Sequence, residues 1–281
     1  MKTFRTMLFM PGNNPGMLAS AGNLGADSVI LDLEDAVAPG EKDAARILVR
    51  HTLTDLRPEN VTCVVRINGL DTPYWRDDLA AAVTGGADVV LLPKCEHPDM
   101  LREIADCIGT SSRNGGAIKI MALVESALGI ENASAIASFG GPLIGMLLGA
   151  EDLTAGMGAK RTPEGDEIAY ARGRVLMACK AAGIAAVDTP FPFVTDMEGL
   201  AKDAAYAAQL GFSGKALISP HHVHAVKTAF MPTPEQVAWA SRVIETAEAA
   251  ERDGKGAVSL DGMMIDLPII KRAKSVLQMA E

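Results

Sequence analysis

Short runs of aliphatic and β-branched residues recur along the chain, each bounded by turn residues and separated by longer stretches with apolar positions at helical spacing. Eight such runs predict strands at Thr6–Met10, Ser28–Leu33, Cys63–Ile67, Val89–Leu92, Ile118–Val124, Leu143–Leu148, Ala185–Val187 and Lys215–Ile218. Most are apolar without alternation, the pattern of strands covered on both faces, as in a parallel sheet. Parallel neighbours need crossover connections. The segments between them predict helices at Glu41–Leu56, Asp77–Val83, Pro98–Ile108, Glu131–Ala137, Glu167–Ala182 and Glu198–Leu210. Gly25-Ala26-Asp27 leads into the second strand and Gly86-Ala87-Asp88 into the fourth, while Gly183 and Gly211 precede the seventh and eighth. A glycine there supplies the left-handed residue that ends a helix.

Eight β/α units in roughly 230 residues fit a TIM (β/α)8 barrel, whose usual size is about 250 residues. A doubly wound open sheet is the competing α/β architecture. It calls for a G-x-G-x-x-G loop after the first strand, and Pro11-Gly12-Asn13-Asn14-Pro15-Gly16 does not have that form. Beyond the eighth strand, Pro234–Arg252 predicts a long helix stopped at Gly254, with Val237, Val243, Ile244, Ala247 and Ala250 on one face. Ala257–Leu260 and Met263–Ile265 flank Asp261-Gly262, a strong hairpin signal, and a last helix is expected over Pro268–Met279. The division expected is a barrel over residues 1–231 and a C-terminal helix-hairpin-helix extension over 232–281. A barrel does not need this tail, which is expected to pack on a barrel mouth or on another subunit.

Composition adds limits. Hydrophobic residues make up 48% of the 281, with only 4% aromatic, so Ala, Val, Ile, Leu and Met must fill the core. Lys and Arg total 26 against 35 Asp and Glu, a net charge of −9, which argues against a nucleic-acid or anionic-membrane partner. The uncharged stretch from Asn132 to Ala150 is broken by Gly140-Gly141-Pro142, so it reads as a helix end, a turn and a buried strand rather than a membrane span. Cys63, Cys95, Cys107 and Cys179 are scattered with no CxxC pair, as expected of a cytoplasmic protein in a reducing setting. The apolar run Met7–Met10 is cut off by Pro11-Gly12 and does not form an export signal.

In such a barrel the chemistry sits on the loops that leave the C-terminal strand ends. Those ends carry Asp32, Glu34 and Asp35; Arg66 and Asn68; Lys94; Glu125; Glu151 and Asp152; and Asp188. So many carboxylates would repel one another without a cation, and the lack of Cys or His among them points to a hard ion such as Mg²⁺. Glu125 and Asp152, on neighbouring strands, are the natural pair, with helix capping as the other explanation. Asp35 and Asp188 lean structural. Arg66 suits a substrate carboxylate or oxyanion, or else a buried ion pair with an acid of the second strand. Lys94 suits a Schiff base or, preferably, a counter-ion. With Asn68, Gly149, Ala150 and Glu151, these two make a candidate substrate-binding set. Pro11, Gly12, Asn13 and Asn14 form a loop of small residues that can bring a phosphate or adenine to backbone amides, although ordinary turns look alike. His221, His222 and His224 read as surface or capping groups rather than zinc ligands, and Asp266 reads as an N-cap.

Leu8-Phe9-Met10-Pro11-Gly12, Ile30-Leu31-Asp32-Leu33-Glu34-Asp35, Val65-Arg66-Ile67-Asn68, Leu92-Pro93-Lys94, Val124-Glu125-Ser126, Gly149-Ala150-Glu151-Asp152-Leu153 and Asp261-Gly262-Met263-Met264-Ile265-Asp266-Leu267-Pro268 resemble, in order, the motifs of the citrate lyase beta subunit family, with its related malyl-CoA and citramalyl-CoA lyases. The resemblance implies a TIM barrel with Mg²⁺ on Glu125 and Asp152, and an acyl-CoA or acyl-carrier-protein thioester as substrate. It implies a homotrimer or hexamer, with transferase and carrier-protein subunits as possible partners. It further implies that the tail brings Asp266 to a neighbouring subunit's mouth as a catalytic residue. Many relatives carry Arg in the loop after the first strand, where Asn14 and Gly16 lack basic character here.

The reaction so implied is retro-aldol cleavage of a 3-hydroxy-3-carboxyacyl thioester such as citryl to oxaloacetate and an acetyl thioester. A citramalyl or malyl thioester giving pyruvate or glyoxylate is the alternative, as is a subunit active only inside a larger lyase complex. A Schiff-base aldolase using Lys94 is a further competitor. In the lyase, Arg66 would stabilise negative oxygen, Asp266 would protonate the acetyl carbon, and Glu34 or a metal-bound hydroxide would take the hydroxyl proton.

Overall fold

A computed structural model of the chain describes residues 4–111, 118–252 and 258–280. Eight parallel strands close on themselves in chain order: β1 (Thr6–Pro11), β2 (Ser28–Asp32), β3 (Thr62–Arg66), β4 (Val89–Leu92), β5 (Lys119–Val124), β6 (Leu143–Leu148), β7 (Ala185–Asp188) and β8 (Gly214–Leu217). The sequence pattern located all eight to within one or two residues. Closure pairs Thr6 with Lys215 and Leu8 with Leu217. The β2–β3 register sets Asp32 beside Arg66, and the β5–β6 register sets Val124 beside Leu148. Two pairs of candidate site residues thereby leave the barrel on neighbouring strands.

Alternate strand residues fill the interior, among them Met7, Ile30, Val64, Leu91, Leu123 and Leu147, and Phe4 joins this cluster. A Cβ on Gly214 would lie 1.7 Å from the Phe4 carbonyl oxygen, so only glycine lets the chain pass there. The opposite strand faces meet the helices, which explains why the strands read as continuous apolar runs.

The helices are α1 (Pro15–Ser20), α2 (Lys42–Asp55), α3 (Trp75–Gly85), α4 (Pro98–Ser111), α5 (Ala127–Glu131), α6 (Ala133–Ala137), α7 (Ala150–Met157), α8 (Ala169–Ala182), α9 (Met197–Leu210), α10 (Val223–Ala229), α11 (Pro234–Arg252) and α12 (Leu267–Ala280). Gly183 and Gly211 end α8 and α9 in left-handed conformation, as their positions suggested. Pattern reading did not find α1, α5, α7 or α10, of six, five, eight and seven residues, because two turns or fewer are too few to display a helical period. The uncharged stretch before Ala150 is α6, a turn and β6, and no described helix is long and apolar enough to cross a membrane.

The chain divides into two compact units, Met1–Lys227 and Thr228–Glu281. Within the second, α11 and α12 enclose Ala240, Val243, Ile265 and Ala273, with Ile244 and Ala247 packed against them. A two-stranded antiparallel hairpin, β9 (Val258–Leu260) and β10 (Met263–Ile265), joins the two helices. Asp261 (φ 51°) and Gly262 (φ 82°) form its turn, with the paired positive φ values that such hairpins require. Gly254 and Ala257 lie outside the described residues.

Candidate active site

Glu125 directly follows β5, and Asp152 lies in the first turn of α7, just after β6. Neither caps a helix. Ser126 caps α5, accepting from the Gly129 N–H, and Gly149 is the N-cap of α7. Capping therefore does not account for the two acids. Both line a cavity of about 560 Å³ together with Leu70, Asp71, Lys94, Glu96, Met100, Ser126 and Ala155.

The Glu125 side chain is fixed from two sides. Its Oε1 accepts the Lys94 backbone N–H at 2.8 Å. A Cβ on Gly149 would lie 2.5 Å from Glu125 Cβ and 2.7 Å from Oε2, so the glycine leaves the room that the carboxyl occupies. Burial, together with the charges of Glu34 and Asp152, pushes the Glu125 carboxyl up to about 8 against the opposing pull of the Lys94 N–H and Arg66. Burial is the largest cause of this rise, and the neighbouring carboxylates add negative charge to it.

Among the described residues, no three His, Cys, Asp or Glu side chains converge as a metal-binding group. The donors available are two hard carboxylates without sulfur or imidazole. This set fits Mg²⁺, which takes one or two protein carboxylates and completes its octahedron with water and substrate oxygens.

Arg66 takes up the ion-pair role offered to it at the second strand. Its Nε and Nη2 donate to the two oxygens of Asp32 at 2.7 and 2.6 Å, and Nη1 lies 2.7 Å from Glu34 and 3.3 Å from Asp35. Its guanidinium carbon also sits 5.0 Å from the centre of the Phe9 ring. The residue is only 8% exposed. Asp32 in turn accepts the Glu34 and Ala36 N–H groups, so the turn after β2 is built around this pair.

Lys94 adopts a left-handed φ of 50° and lies 3.3 Å from Glu34 through its ammonium. Burial works against its charge, but Glu34 outweighs it and holds the amine above its ordinary value. A Schiff-base lysine must lose its proton readily, so this environment favours the counter-ion role. Burial pushes Glu34 upward despite Arg66, with Asp35 adding to the rise, and its two buried oxygens meet no aligned hydrogen-bond donor.

The support behind these residues was not read from the sequence. Lys42 is buried and donates to the Leu33 and Glu34 carbonyls at 2.8 and 2.6 Å, pinning the turn that carries Glu34. Asp78 accepts from the Asn68 backbone N–H, the Asn68 amide and Arg46. Both residues sit inside helices that were located by their apolar spacing, and nothing local marks them. Asn68, expected to touch substrate, instead gives its amide to Leu33 and Asp78, at 2.9 and 2.6 Å, as part of this scaffold.

Several other candidates lie apart from the cavity. Asn14 caps α1 by accepting from Met17, Asn13 donates to Glu41, the Pro11 carbonyl accepts from Asn14, and the Gly12 N–H goes to the Asp32 carbonyl. The polar side chains of this loop are thus used internally. Glu151 accepts from Arg161 at 3.0 Å and borders a separate hollow with Lys160 and Phe193. Ala150 gives its N–H to Thr189. Asp188 is wholly buried, ion-paired with Arg172 and Lys215. His222 is buried, with Nε2 3.0 Å from the Val194 carbonyl. In the second unit, Asp266 is exposed and accepts from the Ile269 N–H at 3.1 Å, the capping interaction expected from its position.

Residues 5–220 match the family described as HpcH/HpaI aldolase/citrate lyase. The chain is 44% identical to the citrate lyase subunit beta of Leuconostoc mesenteroides subsp. cremoris over 280 residues, covering 98% of this chain and 93% of that one. It is 35% identical to a (3S)-malyl-CoA thioesterase of Cereibacter sphaeroides over 278 residues, 99% of this chain and 95% of that one. Among solved structures, CitE from Mycobacterium tuberculosis in complex with magnesium, acetoacetate and coenzyme A superposes with a TM-score of 0.82 at 36% identity, covering 99% of this chain and 98% of that one.

Proposed function

The chain belongs to the HpcH/HpaI aldolase/citrate lyase family, and from that premise we propose that it is a Mg²⁺-dependent carbon–carbon lyase for a 3-hydroxy-3-carboxyacyl thioester, with citryl as the first choice of acyl group. The observation that carries this reading is the buried Glu125 carboxyl, pushed up to about 8 beside Asp152 in a cavity whose wall includes the Lys94 ammonium. The family's solved relative with magnesium, acetoacetate and coenzyme A supports both the ion and the class of thioester.

In this reading Glu125 and Asp152 hold the ion. When bound, it supplies Lewis acidity that lowers the pKa of the substrate's 3-hydroxyl and steadies the oxygen that becomes the ketone. Lys94 lines the cavity and offers its ammonium to a substrate carboxylate. Glu34, raised by burial, accepts the hydroxyl proton. The electron pair of the C2–C3 bond passes to C2 of the thioester, and Asp266 of a neighbouring subunit returns a proton to that carbon. Arg66 acts behind Glu34 as fixed positive charge, preorganised by Asp32.

The full-length relative named (3S)-malyl-CoA thioesterase favours malyl as the second acyl group. The likeness to a citrate lyase subunit favours a carrier-protein thioester and work beside transferase and carrier subunits, with the chain itself as a homotrimer or hexamer. Four scattered cysteines with no CxxC pair support a reducing, cytoplasmic setting.

Steady-state kinetics against citryl-, citramalyl- and malyl-CoA, with Mg²⁺ and after thorough chelation, test the proposal. Cleavage that stops on chelation and returns with Mg²⁺ supports it. Activity that survives chelation, or a substrate adduct trapped by borohydride on Lys94, refutes it. If the purified chain cleaves none of the three CoA thioesters but cleaves citryl carried on an acyl carrier protein, it works as a complex subunit.

A further inference from the structure

The helix that carries Asp152 begins without a side-chain cap. Gly149, its N-cap, has no acceptor to offer the first N–H groups of α7. Two N–H groups at this helix start are held from either side instead. The Gly149 N–H donates to the Val124 carbonyl at 2.9 Å, next to Glu125, and the Ala150 N–H donates to Thr189 Oγ1 at 3.1 Å, just past the end of β7. Ala150 and Thr189 are both buried, so water cannot stand in for the threonine hydroxyl.

Thr189 is itself held by a group of charges that the proposed reaction does not use. Lys215 Nζ donates to the Thr189 carbonyl at 2.6 Å and lies 2.6 Å from Asp188 and from Asp203. Arg172 binds both oxygens of Asp188 at 3.0 and 2.9 Å and reaches Asp203 at 2.5 Å. Two cations and two carboxylates, all buried, tie β7 and β8 to α8 and α9 and fix the peptide of Thr189.

We propose that Thr189 is a positioning residue for the Glu125–Asp152 pair: its hydroxyl, fixed from behind by the Lys215 cluster, sets where α7 begins and so how far Asp152 stands from Glu125. This rests on the reading of those two carboxylates as cation ligands. Mg²⁺ tolerates little departure from octahedral geometry, so a shifted or loosened first turn lowers its affinity.

The test is Mn²⁺ binding to the full chain without substrate, followed by electron paramagnetic resonance or calorimetry. Thr189→Val removes the acceptor and keeps the shape, and is expected to weaken Mn²⁺ binding about tenfold or more. Thr189→Ser keeps the acceptor and restores wild-type affinity. Where the valine variant does not fold by circular dichroism, Thr189→Ala removes the same acceptor and carries the same expectation. Wild-type affinity in the acceptor-less variant, or equal loss in Thr189→Ser, overturns the positioning role while the ligand reading stands. If Asp152→Asn binds Mn²⁺ as well as wild type does, the ligand reading itself fails and takes this proposal with it.

Discussion

The backbone N–H of Lys94 donates to Glu125 Oε1 at 2.8 Å from a residue whose φ is 50°. The left-handed turn lets one residue serve two carboxylates, with its amide on Glu125 and its ammonium 3.3 Å from Glu34. A side chain in that conformation costs roughly 1 kcal/mol, a strain that glycine would relieve. Glycine also gives up about 0.4–1 kcal/mol through its freer unfolded chain, so Lys94→Gly should melt close to wild type. It keeps the amide and loses the ammonium. The expected outcome is an unchanged Tm with kcat/KM lower by about 10- to 100-fold, the worth of one charge-assisted hydrogen bond. Full activity in the glycine variant would remove the ammonium from the mechanism.

The raised carboxyl of Glu125 gives a pH dependence with a definite sign. Its folded value of about 8 lies above its ordinary 4.5, so between these limits the cation-free folded chain holds a proton that the unfolded chain has released. Stability from this group is therefore full below about pH 4.5 and declines as pH rises toward 8. As the proposed ligand, Glu125 would have to bind Mg²⁺ in its ionised form and give up that proton, so the ion's affinity should strengthen with pH up to about 8. Calorimetry in buffers of different ionisation enthalpy should find about one proton released per ion near pH 7. Binding that is independent of pH from 6 to 8 would contradict the protonated state of Glu125.

Strand positions were legible because a barrel strand buries both faces and so announces itself as an unbroken apolar run, as Val89–Leu92 does. The strand-end rule then picked out Glu125, Asp152 and Lys94, which do line one cavity. It said nothing about direction. Asn68 and Asp188 sit at strand ends too, yet their side chains turn toward Asp78 and toward Arg172, on the helix layer. Thr189 carries no charge and belongs to no motif, and its bond to Ala150 spans 39 residues, so only the folded chain reveals it. The one available hint was Lys215, a lone cation inside an otherwise apolar strand, which calls for a buried acidic partner.

That partner cluster is open to a mutant cycle. Burial alone would raise Asp188, but Lys215 and Arg172 overcome it and hold the carboxyl below its usual range. Its contribution is thus present above about pH 4, the unfolded value, and is lost as pH falls through the lower folded value. Lys215→Met leaves two carboxylates against one guanidinium in a buried site, and should cost about 3–5 kcal/mol in urea denaturation. Asp203→Asn should also destabilise. The double variant leaves Arg172 and Asp188 as a neutral pair and is expected to lose less than the sum of the single changes. Strict additivity would mean that Lys215 and Asp203 are not coupled across their 2.6 Å contact.

Asp266 has one observed duty, as a cap, and one proposed duty, as a proton donor. Its Oδ1 accepts the Ile269 N–H at the start of α12, a cap that Asn can also provide. Asp266→Asn should therefore melt like wild type, whereas Asp266→Ala should lose about 1 kcal/mol from the C-terminal unit. If the carboxyl hands a proton to the cleaved carbon, both variants lose turnover despite that difference in stability. The proposed delivery to a neighbour adds a sharper requirement. Asp266→Asn and Asp152→Asn chains, each inactive alone, should recover part of the activity when co-assembled, because some mouths then combine an intact Asp152 with a neighbour's intact Asp266. Hetero-oligomers verified by mass spectrometry that stay inactive would mean that each chain uses its own Asp266 or none.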